Sequence, residues 1–140
     1  MLINYTTKEL DLLARIMRAE ALAEGNLGML MVGNVVVNRA IAKCLTFKDI
    51  RTITDAIYQK NQFSGTKSSL FQGSATTKEK DLAKRVLRGE YFYPATHALW
   101  FYAPKTGDSC KNKWYDQALA GRYKNHCFYN PDSGVCVELY

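Results

Sequence analysis

The chain has 140 residues, a formal net charge of +6 and 47% hydrophobic residues. This length predicts one domain, spanning residues 1–140, and the composition is that of an ordinary globular protein. The positive charge favours a polyanionic partner. The basic residues are scattered, however, and form no recognition motif, so we expect no nucleic acid partner.

The sequence contains no segment typical of a membrane protein or of an exported one. Its most apolar stretch, residues 27–37, is too short to cross a bilayer, and we expect no membrane insertion. The first nine residues have no basic region, long apolar region or cleavage site of a signal peptide. We therefore expect synthesis in the cytosol, unless a leader is missing from the sequence as given.

The first predicted element is a helix that begins after Thr6. Thr6 and Glu9 have the spacing of a capping box, and apolar residues then recur at helical spacing as far as Ala21. Glu20 and Glu24 lie within or at the edge of this apolar face, in the last turns of the predicted helix. Burial and the helix dipole both disfavour negative charge there, so both favour the protonated carboxyl that a general acid needs. The alternative is a helix end whose glutamates reach solvent or pair with an arginine.

A second helix is predicted over residues 28–42. It is apolar almost all the way round, which is typical of the buried centre of a domain. Asn34 and Asn38 lie four residues apart on one side and must find hydrogen-bond partners. They would orient the glutamates, contact a substrate or bond within the core, and these three roles stay open. Asn38 is our candidate for a substrate contact.

The next predicted elements are a short helix around residues 54–58 and a loop, residues 59–74, rich in Ser, Gly and Thr. A further long helix begins at Thr76, with a second capping box to Glu79, and ends at Gly89.

The C-terminal part of the sequence differs in character from the rest. Short aromatic runs at residues 98–102 and 126–129 are typical of strands. The predicted fold class is therefore α+β, mostly helical, with a small β-rich C-terminal part.

The four cysteines contain no CxxC pair, so their spacing does not indicate a zinc site, and we expect no bound metal. Their even number allows two disulfides in an oxidising compartment. Because a signal peptide is absent, we favour reduced thiols and leave a C-terminal disulfide open. The cysteines are Cys44, Cys110, Cys127 and Cys136.

Several sequence blocks, in this order, resemble the SleB/CwlJ cell-wall hydrolases, and CwlJ-type members more than SleB-type members. The resemblance runs from about residue 8 to the C-terminus. The blocks are Arg18-Ala19-Glu20-Ala21 with Glu24-Gly25, Val32-Gly33-Asn34-Val35-Val36-Val37-Asn38-Arg39, Ile57-Tyr58-Gln59 with Gln62-Phe63-Ser64, residues 84–89, Trp100-Phe101-Tyr102, Trp114-Tyr115 and Asn125-His126-Cys127-Phe128-Tyr129.

This resemblance implies a single catalytic domain with a lysozyme-like fold, of the type shared by lytic transglycosylases and resuscitation-promoting factors. It implies an enzyme that cleaves the peptidoglycan glycan strands of the spore cortex during germination. It also implies a place at the boundary of spore coat and cortex, after synthesis in the mother-cell cytosol. For CwlJ-type members it implies a coat partner protein, GerQ, and activation by calcium dipicolinate, with no required cofactor.

Cleavage of a glycosidic bond needs a proton for the leaving oxygen. Together with the resemblance, this indicates Glu20 as general acid and base and Glu24 as a supporting carboxylate. Because both project from one face of the predicted helix, they would not easily flank one sugar ring, and a single-acid mechanism is favoured. The nucleophile is then the C6 hydroxyl of muramic acid, as in a lytic transglycosylase, or water, as in a muramidase.

Further candidate substrate contacts come from the loop and from the aromatic strands. Gln62 and Ser64 would form hydrogen bonds with the glycan, and Tyr102 and Tyr129 would line the groove. Phe63 is either a wall of the cleft or a core anchor for the loop.

Two alternatives remain at this stage. A zinc-dependent N-acetylmuramoyl-L-alanine amidase acts on the same polymer but needs about three protein ligands, whereas His97 and His126 are the only histidines. We interpret His126 as structural rather than catalytic, and Trp100 and Trp114 as packing residues. The other alternative is a spore-coat protein that binds glycan without cleaving it.

Overall fold

The computed structural model of the chain describes residues 3–42, 49–59 and 63–132. Helices come first and a small sheet follows, as the α+β prediction requires. Single turns of 3-10 helix lie at Leu22–Glu24, Ser64–Lys67 and Ser69–Phe71. The helices and strands are α1 (Thr7–Ala21), α2 (Gly25–Ile41), α3 (Ile53–Ile57), α4 (Thr77–Leu87), β1 (Trp100–Tyr102), β2 (Lys113–Trp114), β3 (Gln117–Tyr123) and β4 (His126–Tyr129).

Both predicted capping boxes are confirmed. The Thr6 hydroxyl accepts the Glu9 amide at 3.0 Å, and the Glu9 carboxylate accepts the Thr6 amide at 3.1 Å. Thr76 and Glu79 form the same reciprocal pair at the start of α4. Each box satisfies backbone donors that the first turn of a helix leaves unpaired, and so fixes where the helix begins.

The prediction that Glu20 and Glu24 share one helix is wrong. α1 ends at Ala21, and Glu24 lies in the following 3-10 turn, at the N-cap position of α2. The chain changes direction at Gly25, whose φ of 81° lies in the region that favours glycine. The Glu24 carboxylate therefore lies at the positive end of a helix dipole, which stabilises its charge, rather than at the negative end.

Helix α2 is the buried centre of the helical body, as predicted, although it begins at Gly25 rather than at residue 28. α1 and α4 both pack against it. Gly33 permits this close approach, because a Cβ there would lie 2.9 Å from Val86 and 3.0 Å from the Met17 sulfur.

The two asparagines of α2 attach the helical body to the segment that leads into β1. Asn34 donates to the Glu90 carbonyl at 2.8 Å and accepts the Phe92 amide at 3.0 Å. Asn38 is fully buried and donates to backbone carbonyls of residues 95, 96 and 98. The prediction of a substrate contact is therefore wrong for Asn38, because its amide is used to hold the chain that precedes the sheet.

The described strands form an antiparallel sheet in the order β1-β4-β3-β2. Two-residue turns join β2 to β3 and β3 to β4, and Tyr115, Asp116 and Lys124 in these turns have positive φ. None of the described helices has the length and apolar character needed to cross a membrane.

A disulfide joins Cys110 to Cys127, with a sulfur–sulfur distance of 2.07 Å. The preference for reduced thiols is therefore wrong for this pair. It connects the loop before β2 to β4, one of the two inner strands of the sheet. Cys44 and Cys136 lie outside the described residues.

Candidate active site

A groove of about 320 Å³ runs along the junction of the helices and the sheet. The end of α1, helix α2 and the loop after α3 contribute residues on one side. Strands β1 and β4 and the β2–β3 hairpin contribute residues on the other. The lining residues are Glu20, Arg39, Ser64, Trp100, Phe101, Tyr102, Ala103, Trp114, Tyr115 and His126.

Glu20 is half-buried in this groove and is oriented by one backbone hydrogen bond. The Gly65 amide donates to its Oε1 at 2.8 Å. Burial raises the pKa of Glu20 above its ordinary value, and this effect exceeds two opposing ones, the Gly65 hydrogen bond and the electrostatic effect of His126. A carboxyl group that keeps its proton to higher pH is suited to act as a general acid.

Gly65 lies so close to the candidate acid that any side chain at this position would clash with it. A Cβ on Gly65 would lie 2.7 Å from Glu20 Oε1 and 3.1 Å from the Ala19 Cβ. The loop can therefore bring its amide to the carboxylate only because residue 65 is glycine.

Two arginines of α1 hold this loop against the helix that carries Glu20. Arg18 donates from Nε to the Leu70 carbonyl at 2.7 Å, and from its terminal nitrogens to carbonyls of residues 72–74. Arg18 also forms an ion pair with Glu79 of α4 at 2.9 Å. Arg15 donates to the Phe71 carbonyl at 2.7 Å. The acid and the amide that orients it are thus attached to the same helix.

Glu24 does not face the groove as a second free carboxylate. It is 6% exposed, and its Oε1 lies 2.6 Å from His126 Nδ1. The predicted supporting role would therefore be exerted through His126, which lines the groove while Glu24 does not.

An aromatic wall on the sheet forms the opposite side of the groove. The rings of Tyr102 and Trp114 stack at a centroid distance of 4.5 Å, and those of Trp100 and Tyr115 at 6.3 Å. Tyr115 is 56% exposed at the tip of the hairpin. Trp114 and Trp100, expected only to pack, also line the groove.

Tyr102 lines the groove as predicted, but Tyr129 does not. Tyr129 is fully buried, its ring stacks behind Tyr102 at 5.9 Å, and its hydroxyl donates to the Lys111 carbonyl at 2.7 Å. The prediction of a substrate contact is wrong for Tyr129, which supports the wall from behind.

The loop residues differ in their accessibility. Ser64 is exposed and lines both the groove and a neighbouring cavity of about 530 Å³. Phe63 is 4% exposed, lies 5.8 Å from the Phe101 ring and contributes to the wall of the neighbouring cavity. It serves mainly as the core anchor of the loop. Gln62 lies outside the described residues.

Arg39 and His126 are groove residues that the sequence interpretation did not assign to the site. Arg39 is 2% exposed, donates from Nε to the Leu99 carbonyl at 2.6 Å and lies 4.7 Å from the Phe63 ring centroid. Burial lowers the pKa of Arg39 to about 9, which leaves the guanidinium charged at neutral pH. The sequence does contain a signal for Arg39. It lies one turn after Val35 in a helix that is apolar on nearly every side, and a charge buried there needs hydrogen-bond partners.

Comparison with known proteins gives the family. The profile of the family described as Cell Wall Hydrolase matches residues 23–129. The chain belongs to the cell wall hydrolase family. Over nearly its whole length, this cell wall hydrolase is similar to two proteins called cell wall hydrolase CwlJ. It is 48% identical to that of Halalkalibacterium halodurans, over 99% of this chain and 96% of the relative, and 43% identical to that of Bacillus subtilis, over the same shares.

Solved structures show the fold of this cell wall hydrolase. The catalytic domain of Bacillus cereus SleB superposes with a TM-score of 0.70 and 19% identity, over 93% of this chain and 97% of that domain. The catalytic domain of the germination-specific lytic transglycosylase SleB from Bacillus anthracis also gives a TM-score of 0.70, over 91% and 98%. The predicted family, the lysozyme-like fold and the enzyme class are confirmed.

Proposed function

We propose that this cell wall hydrolase cleaves the glycosidic bonds of spore cortex peptidoglycan during germination, with Glu20 as its single acid and base. One observation carries the proposal: among the described residues that line the groove, Glu20 is the only one with a carboxyl group. Burial gives Glu20 the raised pKa of a proton donor. The aromatic wall opposite offers flat apolar faces of the kind on which sugar rings stack.

The arrangement favours a single-acid reaction over a two-carboxylate one. Retaining glycosidases place two carboxyl groups about 5–5.5 Å apart on either side of the bond. Glu24, the other carboxylate near the groove, is buried and engaged with His126 at 2.6 Å. Glu20 then acts twice: its carboxyl gives a proton to the glycosidic oxygen as the C1–O bond breaks, and its carboxylate later takes a proton from the nucleophile.

The nucleophile decides the product. If the C6 hydroxyl of the muramic acid attacks C1, the product is a 1,6-anhydro end and no water is consumed. The similarity in fold to a lytic transglycosylase supports this outcome. If water attacks, the product is a reducing end and the enzyme is a muramidase.

The test is mass spectrometry of soluble fragments released from purified spore cortex. The wild type is compared with Glu20→Gln and with the matched control Glu90→Gln, a partly exposed glutamate paired with Arg85 outside the groove. We expect anhydro-muramic ends from the wild type and the control and none from Glu20→Gln. Reducing muramic ends would change the nucleophile to water, and cleavage by Glu20→Gln would contradict the role of Glu20.

The same experiment addresses the alternatives. Free stem peptides as products would establish an amidase. Among the described residues no three His, Cys, Asp or Glu side chains are grouped as metal ligands, so we expect release of fragments to continue in the presence of a chelator. A protein that binds cortex without releasing any fragment would be a glycan-binding coat protein.

The proposal includes a location and a regulation. The chain would lie at the boundary of spore coat and cortex, with the coat protein GerQ as a partner and calcium dipicolinate as an activator. Similarity to two CwlJ proteins supports this part. A fluorescent fusion should reach the spore coat only when GerQ is present, and calcium dipicolinate should accelerate fragment release. A diffuse mother-cell signal or an unchanged rate would contradict it.

A further inference from the structure

Glu24 and His126 form a buried pair beside the candidate acid. Each residue is 6% exposed, and His126 Nδ1 lies 2.6 Å from Glu24 Oε1. Two further contacts fix Glu24. Lys124 Nζ donates to its backbone carbonyl at 3.3 Å, and Gly28 leaves it room, because a Cβ there would lie 2.6 Å from the Glu24 Cβ. These contacts fix the backbone and the Cβ of Glu24, and its carboxylate determines the orientation of the imidazole through the 2.6 Å contact.

The orientation of His126 places its charge in the groove that Glu20 lines. Because Nδ1 donates to Glu24, the neutral ring carries its proton on Nδ1 and has Nε2 as its acceptor. The ring lines the same groove as Glu20, with its edge against Phe101 at a centroid distance of 5.2 Å. Positive charge on this ring lowers the pKa of Glu20, in opposition to the larger effect of burial.

The proposed reaction requires a compensating charge at this place. Glu20 becomes a carboxylate once it has protonated the leaving oxygen, and Glu24 is a second carboxylate close by. Two carboxylates at one site repel each other, and this repulsion opposes the ionisation of Glu20. Positive charge on His126, which contacts Glu24 and lines the groove with Glu20, offsets this repulsion and leaves Glu20 free to accept a proton in the second step.

The titratable and charged groups that surround His126 on the packed elements are Glu20, Glu24, Arg39, Tyr102, Tyr115, Tyr123 and Lys124.

We propose that His126, held by Glu24, is a positioning residue of the reaction, which balances the charge that Glu20 acquires when it releases its proton to the glycosidic oxygen. This inference rests on the proposed function, since it assumes that Glu20 alternates between acid and carboxylate. It gives Glu24 a role through His126 rather than through the substrate.

The first test measures the coupling without any cleavage. The chain has two histidines, so a proton NMR titration shows two signals from the imidazole protons bonded to Cε1. The variant His97→Gln removes one of them and so assigns both. In Glu20→Gln, the pH at which the His126 signal is half-titrated should fall by on the order of one unit, while the His97 signal stays unchanged. An unchanged His126 signal would overturn the proposal, and this outcome does not depend on whether a His126 variant folds.

The second test measures the pH dependence of kcat/KM for fragment release by the wild type, His126→Gln, Glu24→Gln and the control His97→Gln. Loss of the positive charge raises the pKa of Glu20, so its acid form persists to higher pH. The alkaline limb of the profile should therefore move up by about one unit in His126→Gln, and by less in Glu24→Gln, which also removes a negative charge, with a lower kcat in both. A uniform loss at every pH would indicate a purely structural pair and would overturn the inference alone. Absence of glycosidic products from the wild type would instead overturn the proposed function.

Discussion

Replacing Gly65 by alanine should impair the candidate acid without unfolding the protein. The added Cβ would lie 2.7 Å from Glu20 Oε1 and 3.0 Å from its Cδ, whereas ordinary contacts begin at 3.4 Å. The carboxyl group or the loop must therefore move by about 0.7 Å, and the 2.8 Å hydrogen bond from the Gly65 amide must lengthen or break. A hydrogen bond to a charged group contributes about 1.5–3 kcal/mol, and a displacement of about 1 Å at a reacting group costs about 100-fold in rate. We expect kcat to fall by about 100-fold, with little change in KM.

The assay is the initial rate of fragment release from cortex at several substrate concentrations, with thermal unfolding followed in parallel. Gly107→Ala is the matched control. Gly107 has open space around it but a φ of 88°, so alanine there should lower stability by about 1 kcal/mol and leave cleavage unchanged. A wild-type kcat in Gly65→Ala would refute the idea that the Gly65 amide positions Glu20.

Three further predictions concern stability and substrate binding. The folded-state pKa of Glu20 is raised, so its stabilising contribution is present at low pH and is lost as the pH rises through the folded value. Glu20→Gln should therefore have a higher Tm than the wild type at pH 7. Differential scanning calorimetry should show the difference in Tm disappearing below about pH 4. In the Glu20→Gln background, Tyr115→Ala should weaken cortex binding in a pull-down by about 3- to 10-fold. The control Tyr93→Ala, which removes an exposed ring outside the groove, should leave binding unchanged, and equal effects would contradict a stacking role for Tyr115. The Cys110–Cys127 disulfide closes a sequence separation of 17 residues. The double variant Cys110→Ala, Cys127→Ala should therefore lower the free energy of unfolding by about 3 kcal/mol in denaturant titrations, and an unchanged denaturation midpoint would contradict this.

The parts of the fold that the sequence predicted well are those with local causes. The capping boxes at Thr6 and Thr76 predicted the starts of α1 and α4, because a side chain and an amide three residues apart satisfy each other without help from the rest of the chain. The place of Glu20 on the apolar face of α1 was visible for a similar reason, since it follows from the spacing alone, whereas its role as the acid also drew on the family resemblance and stays a prediction. The end of α1 was missed because the backbone leaves the helical conformation at Ala21, with φ −142° and ψ 18°, and helical spacing does not reveal this.

The rest of the site depends on contacts between residues far apart in the chain. The amide that orients Glu20 belongs to Gly65, 45 residues away, and a backbone donor has no sequence signature. Glu24 and His126 meet only because β4 lies beside the start of α2. Asn38 and Tyr129 have the right chemistry for a sugar contact, but both are fully buried, and burial follows from the assembled fold.

The attachment of the loop to α1 has a consequence for how a long polymer is handled. Arg15 and Arg18 attach the loop that carries Gly65 to the helix that carries Glu20. The candidate proton donor and the amide that orients it are therefore held together. The aromatic wall belongs to the sheet, across the groove. The position of that wall relative to the helices is set by separate contacts, among them Asn38 with the Ala98 carbonyl and Glu24 with His126. A glycan strand that enters the groove should therefore meet a proton donor whose orientation does not depend on the aromatic wall.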